Sequence, residues 1–137
     1  MTTTTASLPV NPDAWTVPLG YDQGQLRTGP LALLTVAAQA SVDEEGRLVH
    51  DGDVAAQLAL ALTNLERVLA AAGMSAEDVA CLRVFTTDLD ALDDVWDTLV
   101  EHLGETGARP PTTVLEVSRL AVPGVVCIEA LAARPLP

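Results

Sequence analysis

Lysine does not occur in this chain, and arginine alone supplies its seven basic side chains against nineteen acidic ones. The first absence removes any mechanism that passes through a lysine Schiff base. The shortage of positive charge matters as much. A net charge of -12 repels phosphate backbones and anionic lipid, so neither nucleic acid nor a membrane surface is an expected partner. Aromatic residues are scarce as well: two Trp, one Tyr and one Phe, although 49% of the residues are apolar. The core must therefore be built from Ala, Val and Leu. Two cysteines, Cys81 and Cys127, are too few for a disulfide framework, and free thiols in a cytoplasmic setting are the default expectation. No apolar run approaches the roughly 20 residues of a membrane-spanning helix. The first seven residues, Met1 to Ser7, lack the basic and hydrophobic stretches of a secretory signal. Residues 1–12 are expected to form a disordered or extended tail, ahead of one domain over 13–137.

What is present reads as alternating strands and helices. Trp15 to Gly20, Leu26 to Thr28 and Leu31 to Ser41 have strand patterns, the last apolar on both faces as for a strand covered on both sides. Asp53 is a plausible N-cap. Val54, Leu58, Leu62, Leu65 and Leu69 then recur at helical spacing, and Gly73 supplies the stop. Val79 to Thr87 is a strand, and a second helix from Asp90 carries Leu92, Val95, Trp96, Leu99 and Leu103 on one stripe. After a loop over Gly104 to Pro111, Thr112 to Arg119 and Val125 to Ala133 are the closing strands. The order β-β-β-α-β-α-β-β predicts an α+β domain, a mixed β-sheet with two helices on one face. No further helix is available for the other face, so self-association is expected to cover it.

Several short segments, in this order and spacing, carry a resemblance. They are Tyr21-Asp22-Gln23-Gly24, Ala38-Gln39, Gly52 to Gln57, Leu65 to Gly73, Val84 to Leu89, Leu115 to Leu120 and Ile128-Glu129-Ala130. Together they span about Tyr21 to Ala132, and the chain resembles the Rid family, the reactive intermediate deaminases also called YjgF proteins. The resemblance implies a chorismate-mutase-like fold assembled as a homotrimer around a barrel of sheets, with ligand clefts at the subunit interfaces. It implies hydrolysis of enamine or imine intermediates such as 2-aminoacrylate, without metal or cofactor. In such proteins an arginine holds the substrate carboxylate bidentately and a glutamate positions water.

The resemblance also exposes departures. Aligned on Glu116-Val117, the family arginine falls on Thr112, which is no cation. The water-positioning glutamate falls on Cys127. Arg109, three residues before Thr112, either reaches back to the site or is simply solvated, the default for a loop arginine. Cys127 and Glu129 share a strand face. Cys127 is either a packed hydrophobe or a cleft thiol, with nothing basic nearby in sequence to ionise it. Glu129 matches a retained family glutamate, a general base or a structural carboxylate. Tyr21 matches a cleft tyrosine able to orient a substrate or donate a proton, or is an aromatic plug at a subunit contact. Ala37 replaces a small hydroxyl residue and Val114 a frequent cysteine. Trp96 is either core or the cap over a flat ligand. Tyr21, Cys127, Thr112 and Glu129 are thus the candidate catalytic residues; Ala37, Trp96, Val114 and Arg109 are the candidate substrate contacts. The pocket is more apolar than the family's usual one.

His50 and His102 are expected at the surface, and no metal-ligand spacing, nucleophile elbow or phosphate loop occurs. The expected function is a divergent enzyme acting at an imine, enamine or carbonyl centre of a small molecule, in specialised biosynthesis rather than 2-aminoacrylate deamination. Ordinary imine deamination and a non-catalytic metabolite-binding trimer are the alternatives. Ribonuclease action is disfavoured by the charge.

Overall fold

A computed structural model describes residues 7–137. Its centre is a four-stranded mixed sheet in the order β3-β6-β4-β5, formed by β3 (Leu31–Ala40), β4 (Val79–Thr86), β5 (Thr112–Glu116) and β6 (Val126–Pro135). Only β4 and β5 run parallel; β6 is antiparallel to both β3 and β4. Helices α1 (Val54–Ala71), α2 (Leu89–Asp94) and α3 (Trp96–Thr106) complete the domain, together with a small ribbon in which β1 (Leu8–Val10) pairs with β2 (Gly24–Leu26). The mixed α+β architecture expected from the sequence is present. Of the expected N-terminal tail, Met1 to Ala6 lie outside the described residues, and Leu8–Val10 forms the extended strand β1.

The sheet has one finished face. Leu82 and Val84 of β4, Val126, Ile128 and Ala132 of β6, and Leu58, Leu62, Leu65 and Leu69 of α1 form a single buried cluster with Leu92, Leu99 and Leu103 of α2 and α3. By length and composition α1 is apolar enough to cross a bilayer, but these contacts make it a core helix. Its two buried polar residues are both tethered. Asn64 Nδ2 donates to the carbonyls of Ala40 and Val42. Gln57 Nε2 donates to His50 O, and Gln57 Oε1 accepts from Val125 N–H. Asp53 caps α1 by accepting from Ala56 N–H, as its sequence position predicts.

Several boundaries differ from those expected: the strand expected over Leu26 to Thr28 is Gly24–Leu26, the last strand is Val126–Pro135, and three further differences have local causes. Trp15 to Gly20 is not a strand. Val17–Leu19 forms a 3-10 turn, in which Pro18 fixes φ at its start and Gly20, at φ +93°, donates its N–H back to Val17 O. The expected single helix from Asp90 is two, broken at Val95, whose φ of -118° lies outside the helical range; Asp88 caps the first. The strand from Thr112 stops at Glu116 rather than Arg119. Val117 N–H makes the last contact, to Thr86 O, and β4 then turns away into α2, leaving nothing further to pair with.

Candidate functional site

The candidate residues fall into two groups, because strand alternation sends neighbouring side chains to opposite faces. Thr112 and Val114 pair in register with Leu82 and Val84, so they lie on the helix-covered side. Val114 packs against the buried cluster, and Thr112 Oγ1 donates to Pro110 O at 2.8 Å. Cys127 and Glu129 lie on the other side, in register with Phe85 and Arg83. The β-bulge in β3 comes between Val36, opposite Ala130, and Gln39, opposite Ile128. Ala37 and Ala38 together therefore stand opposite Glu129. Within one chain, Thr112 and Val114 do not meet Cys127 and Glu129.

The first group is stitched to the N-terminal turn. Asp22 N–H donates to Arg109 O, Gln25 Nε2 donates to the same carbonyl, and Arg109 Nη2 donates to Val17 O. The Asp22 carboxylate is buried, accepts from Asn11 Nδ2 and Gln25 Nε2, and lies 3.5 Å from Arg109 Nε. Arg109 is therefore not the solvated loop residue that is the default for its position. Its guanidinium is committed to fastening the proline loop, because the 3-10 turn leaves Val17 O within its reach. Half-buried Tyr21 lies inside this stitched segment. Trp96 Nε1 donates to Leu19 O at 3.0 Å while its ring packs on the core. The turn, α3 and the loop before β5 thus hold Tyr21, Trp96, Arg109 and Thr112 in one region.

The second group is the open face of the sheet. Register places Thr113 and Leu115 of β5, Cys81, Arg83 and Phe85 of β4, Cys127, Glu129 and Leu131 of β6, and Leu33 and Thr35 of β3 there. Leu33 is 64% exposed and Leu115 45%, so within one chain this apolar face is only partly covered. Arg83 Nη1 meets Glu129 Oε1 at 3.1 Å in the middle of it. Cys127, by contrast, is 3% exposed. Burial pushes its thiol pKa up, and the nearby Glu129 carboxylate adds to the effect, which disfavours the thiolate. That is the setting of a packed hydrophobe. The sequence reading did not select Arg83; the available signal was a lone cation interrupting the apolar strand Val79–Thr86.

His102 is half-buried and its Nε2 lies 2.8 Å from Glu66 Oε1, joining α3 to α1, whereas His50 is exposed at a positive φ of 67°. Among the described residues no group of three His, Cys, Asp or Glu side chains is placed to hold a metal ion.

A mixed sheet with its helices on one face and a partly apolar open face defines a small α+β domain. Comparison with known proteins agrees. The family model described as endoribonuclease L-PSP matches residues 19–134. A RutC family protein of Pyrococcus horikoshii is 30% identical over 115 residues, 84% of this chain and 88% of that one. A putative reactive intermediate deaminase, TdcF of Escherichia coli, is 34% identical over 83 residues, 60% of this chain and 64% of its own length. Among solved structures, the Rid-family protein YyfB of Yersinia pestis, of unknown function, superposes with a TM-score of 0.83 at 26% identity, covering 95% of this chain and all of that one. Escherichia coli TdcF with bound serine gives a TM-score of 0.66 at 29% identity, covering 83% and 87%. The chain belongs to the Rid (YjgF, endoribonuclease L-PSP) family.

Proposed function

We propose that this chain is a divergent Rid-family enzyme acting at an imine, enamine or carbonyl centre of a small molecule, in clefts between the subunits of a homotrimer. The observation that carries the reading is the pair of departures at Thr112 and Cys127. Thr112 stands at the family's arginine position, and its hydroxyl is spent on Pro110 O. Cys127 stands at the water-positioning glutamate's place, buried and with its pKa raised. Neither clamps a carboxylate or activates water. Tyr21, Thr112 and Glu129 are the groups left to supply polar contacts, with Ala37, Trp96 and Val114 as apolar walls and Arg109 as the brace behind them.

The incomplete cover of the open face favours self-association, and the trimer brings the two faces' residues together across the interface. A cytoplasmic enzyme of specialised biosynthesis fits these changes better than a general quencher of 2-aminoacrylate. Ordinary imine deamination is the second reading, and the likeness to TdcF favours it. A metabolite-binding trimer without turnover is the third.

The deciding experiment is 2-aminoacrylate quenching beside Escherichia coli TdcF. Loss of two transition-state contacts, at about 3 kcal/mol each, corresponds to roughly a ten-thousandfold slower reaction. A rate within tenfold of TdcF overturns the proposal in favour of ordinary deamination. Retention of all turnover on the true substrate by Tyr21→Phe, Thr112→Ala and Glu129→Gln overturns the site.

A further inference from the structure

Tyr21 is the chain's single tyrosine, and its neighbours on both sides are pinned through the backbone. Gly20 N–H donates to Val17 O, Asp22 N–H to Arg109 O and Gln23 N–H to Asn11 Oδ1. Gly20 is also pressed against α3: a Cβ there would lie 3.2 Å from Val100 Cγ2. The contact to Arg109 carries this segment to the proposed site. From Arg109 the chain reaches Thr112 through Pro110 and Pro111, whose rings fix φ. That short link is tied down as well, since Pro111 O accepts from Leu82 N–H at 2.9 Å and Pro110 O accepts from Thr112 Oγ1. Tyr21 and Thr112 are thus joined by a stiff connection that passes through the hydrogen bond from Asp22 N–H to Arg109 O, 3.1 Å long.

The side chain of Asp22 braces that joint. It is 4% exposed, and a carboxylate taken that far out of water is costly unless its oxygens are satisfied. Asn11 Nδ2 donates to it at 3.0 Å and Gln25 Nε2 at 3.1 Å, and Arg109 Nε lies 3.5 Å away as the counter-charge. Gln25 Nε2 also donates to Arg109 O at 2.8 Å. One carboxylate therefore holds both the guanidinium of Arg109 and the amide that grips its carbonyl. Asparagine could not do the same, because it offers one acceptor oxygen and its NH2 would face other donors. Apolar side chains could fill the space without the desolvation cost; the charged set adds a fixed direction and spacing.

We propose that Asp22 is a positioning residue. Through Arg109 and Gln25 it fixes where the Tyr21 backbone stands relative to Thr112, and with it the reach of the phenol into the cleft. The proposal rests on the reading of Tyr21 and Thr112 as site residues, and it adds the group that keeps them in place.

The test uses the full chain labelled with 3-fluorotyrosine, which gives one fluorine resonance because there is one tyrosine. The parent should show a single narrow line, displaced from its position in denaturant. Asp22→Asn should broaden that line or move it toward the denatured position. Arg109→Gln, which leaves Asp22 its two amide donors, should do so as well. The double variant should move it little further than either alone, since both act on one joint. Ile128→Ala, a truncation in the buried cluster, should leave the line where it stands. A line unmoved by Asp22→Asn and Arg109→Gln overturns the proposal. So does an equal shift in Ile128→Ala, which would mark general loosening instead of positioning. In slow 2-aminoacrylate turnover, Asp22→Asn should lower kcat by about tenfold or more while KM stays within about threefold; a raised KM with unchanged kcat also overturns it. A shifted line in Asp22→Asn together with full activity of Tyr21→Phe would leave the brace standing and remove the reading of Tyr21 as a site residue.

Discussion

The two faces of the central sheet are made from the same strands and behave as different materials. In β6, Val126, Ile128 and Ala132 enter a closed cluster beneath α1, α2 and α3. Their alternating neighbours Cys127, Glu129 and Leu131 share the open face with Arg83, Phe85 and Leu115. The covered face is largely aliphatic and complete within one chain, with Thr112 at its β5 edge. The open face is apolar at its edges and charged in its middle. A face designed only for solvent would not carry Leu33 at 64% exposure, and one designed only for packing would not place an ion pair at its centre.

The contrast can be broken most sharply from the open side. Leu131→Asp, with the side chain at the centre of that face, should retain its helical circular dichroism while sedimentation shifts to a monomer. An unaltered oligomer would mean that some other surface associates. On the covered side, Ile128→Ala deletes a fully buried side chain and should cost about 2–5 kcal/mol in denaturant unfolding. A loss under 1 kcal/mol would show that this core is poorly packed.

A smaller effect tests how the covered face is closed at its end. Gly124 has φ +95°, and a Cβ there would lie 2.6 Å from Gln57 Oε1, the atom that accepts from Val125 N–H. Gly124→Ala should cost about 1–3 kcal/mol. The Arg83–Glu129 pair is partly exposed, so Arg83→Gln should change stability by less than about 1 kcal/mol.

The smallest effect concerns Cys127. Its pKa is raised from the ordinary thiol value of 9.0, so the native state keeps its proton to higher pH than the unfolded chain. Its contribution is therefore complete below about pH 9 and is lost as pH climbs from there through the native pKa. Cys127 should alkylate more slowly than Cys81 at pH 8, with denaturant removing the difference; equal rates in the native protein would contradict its burial.

Much of this was legible in the residues. The leucine spacing of α1, its Asp53 cap and the apolar closing strands need only periodicity and local hydrogen bonding. The missed boundaries have local causes acting through tertiary partners. The 3-10 turn at Val17–Leu19 is held by Gly20, and its carbonyls bind Arg109 and Trp96. The early end of β5 reflects the departure of β4. Site residues were harder to group, because sequence alignment does not say which face of a strand meets which. Thr112 and Cys127 are singled out together by the motif resemblance, yet they occupy opposite sides of the sheet.

The sequence by itself determined an α+β order of elements, an aliphatic core and the absence of lysine, because composition and periodicity are properties of the chain alone; the order and spacing of its short motifs pointed to the Rid family. Tertiary structure decided the rest. Strand register selected Arg83 as the partner of Glu129, loop packing consumed Arg109, and burial raised the Cys127 thiol pKa. Each of these depends on which distant segment arrives beside the side chain, and no local pattern encodes that.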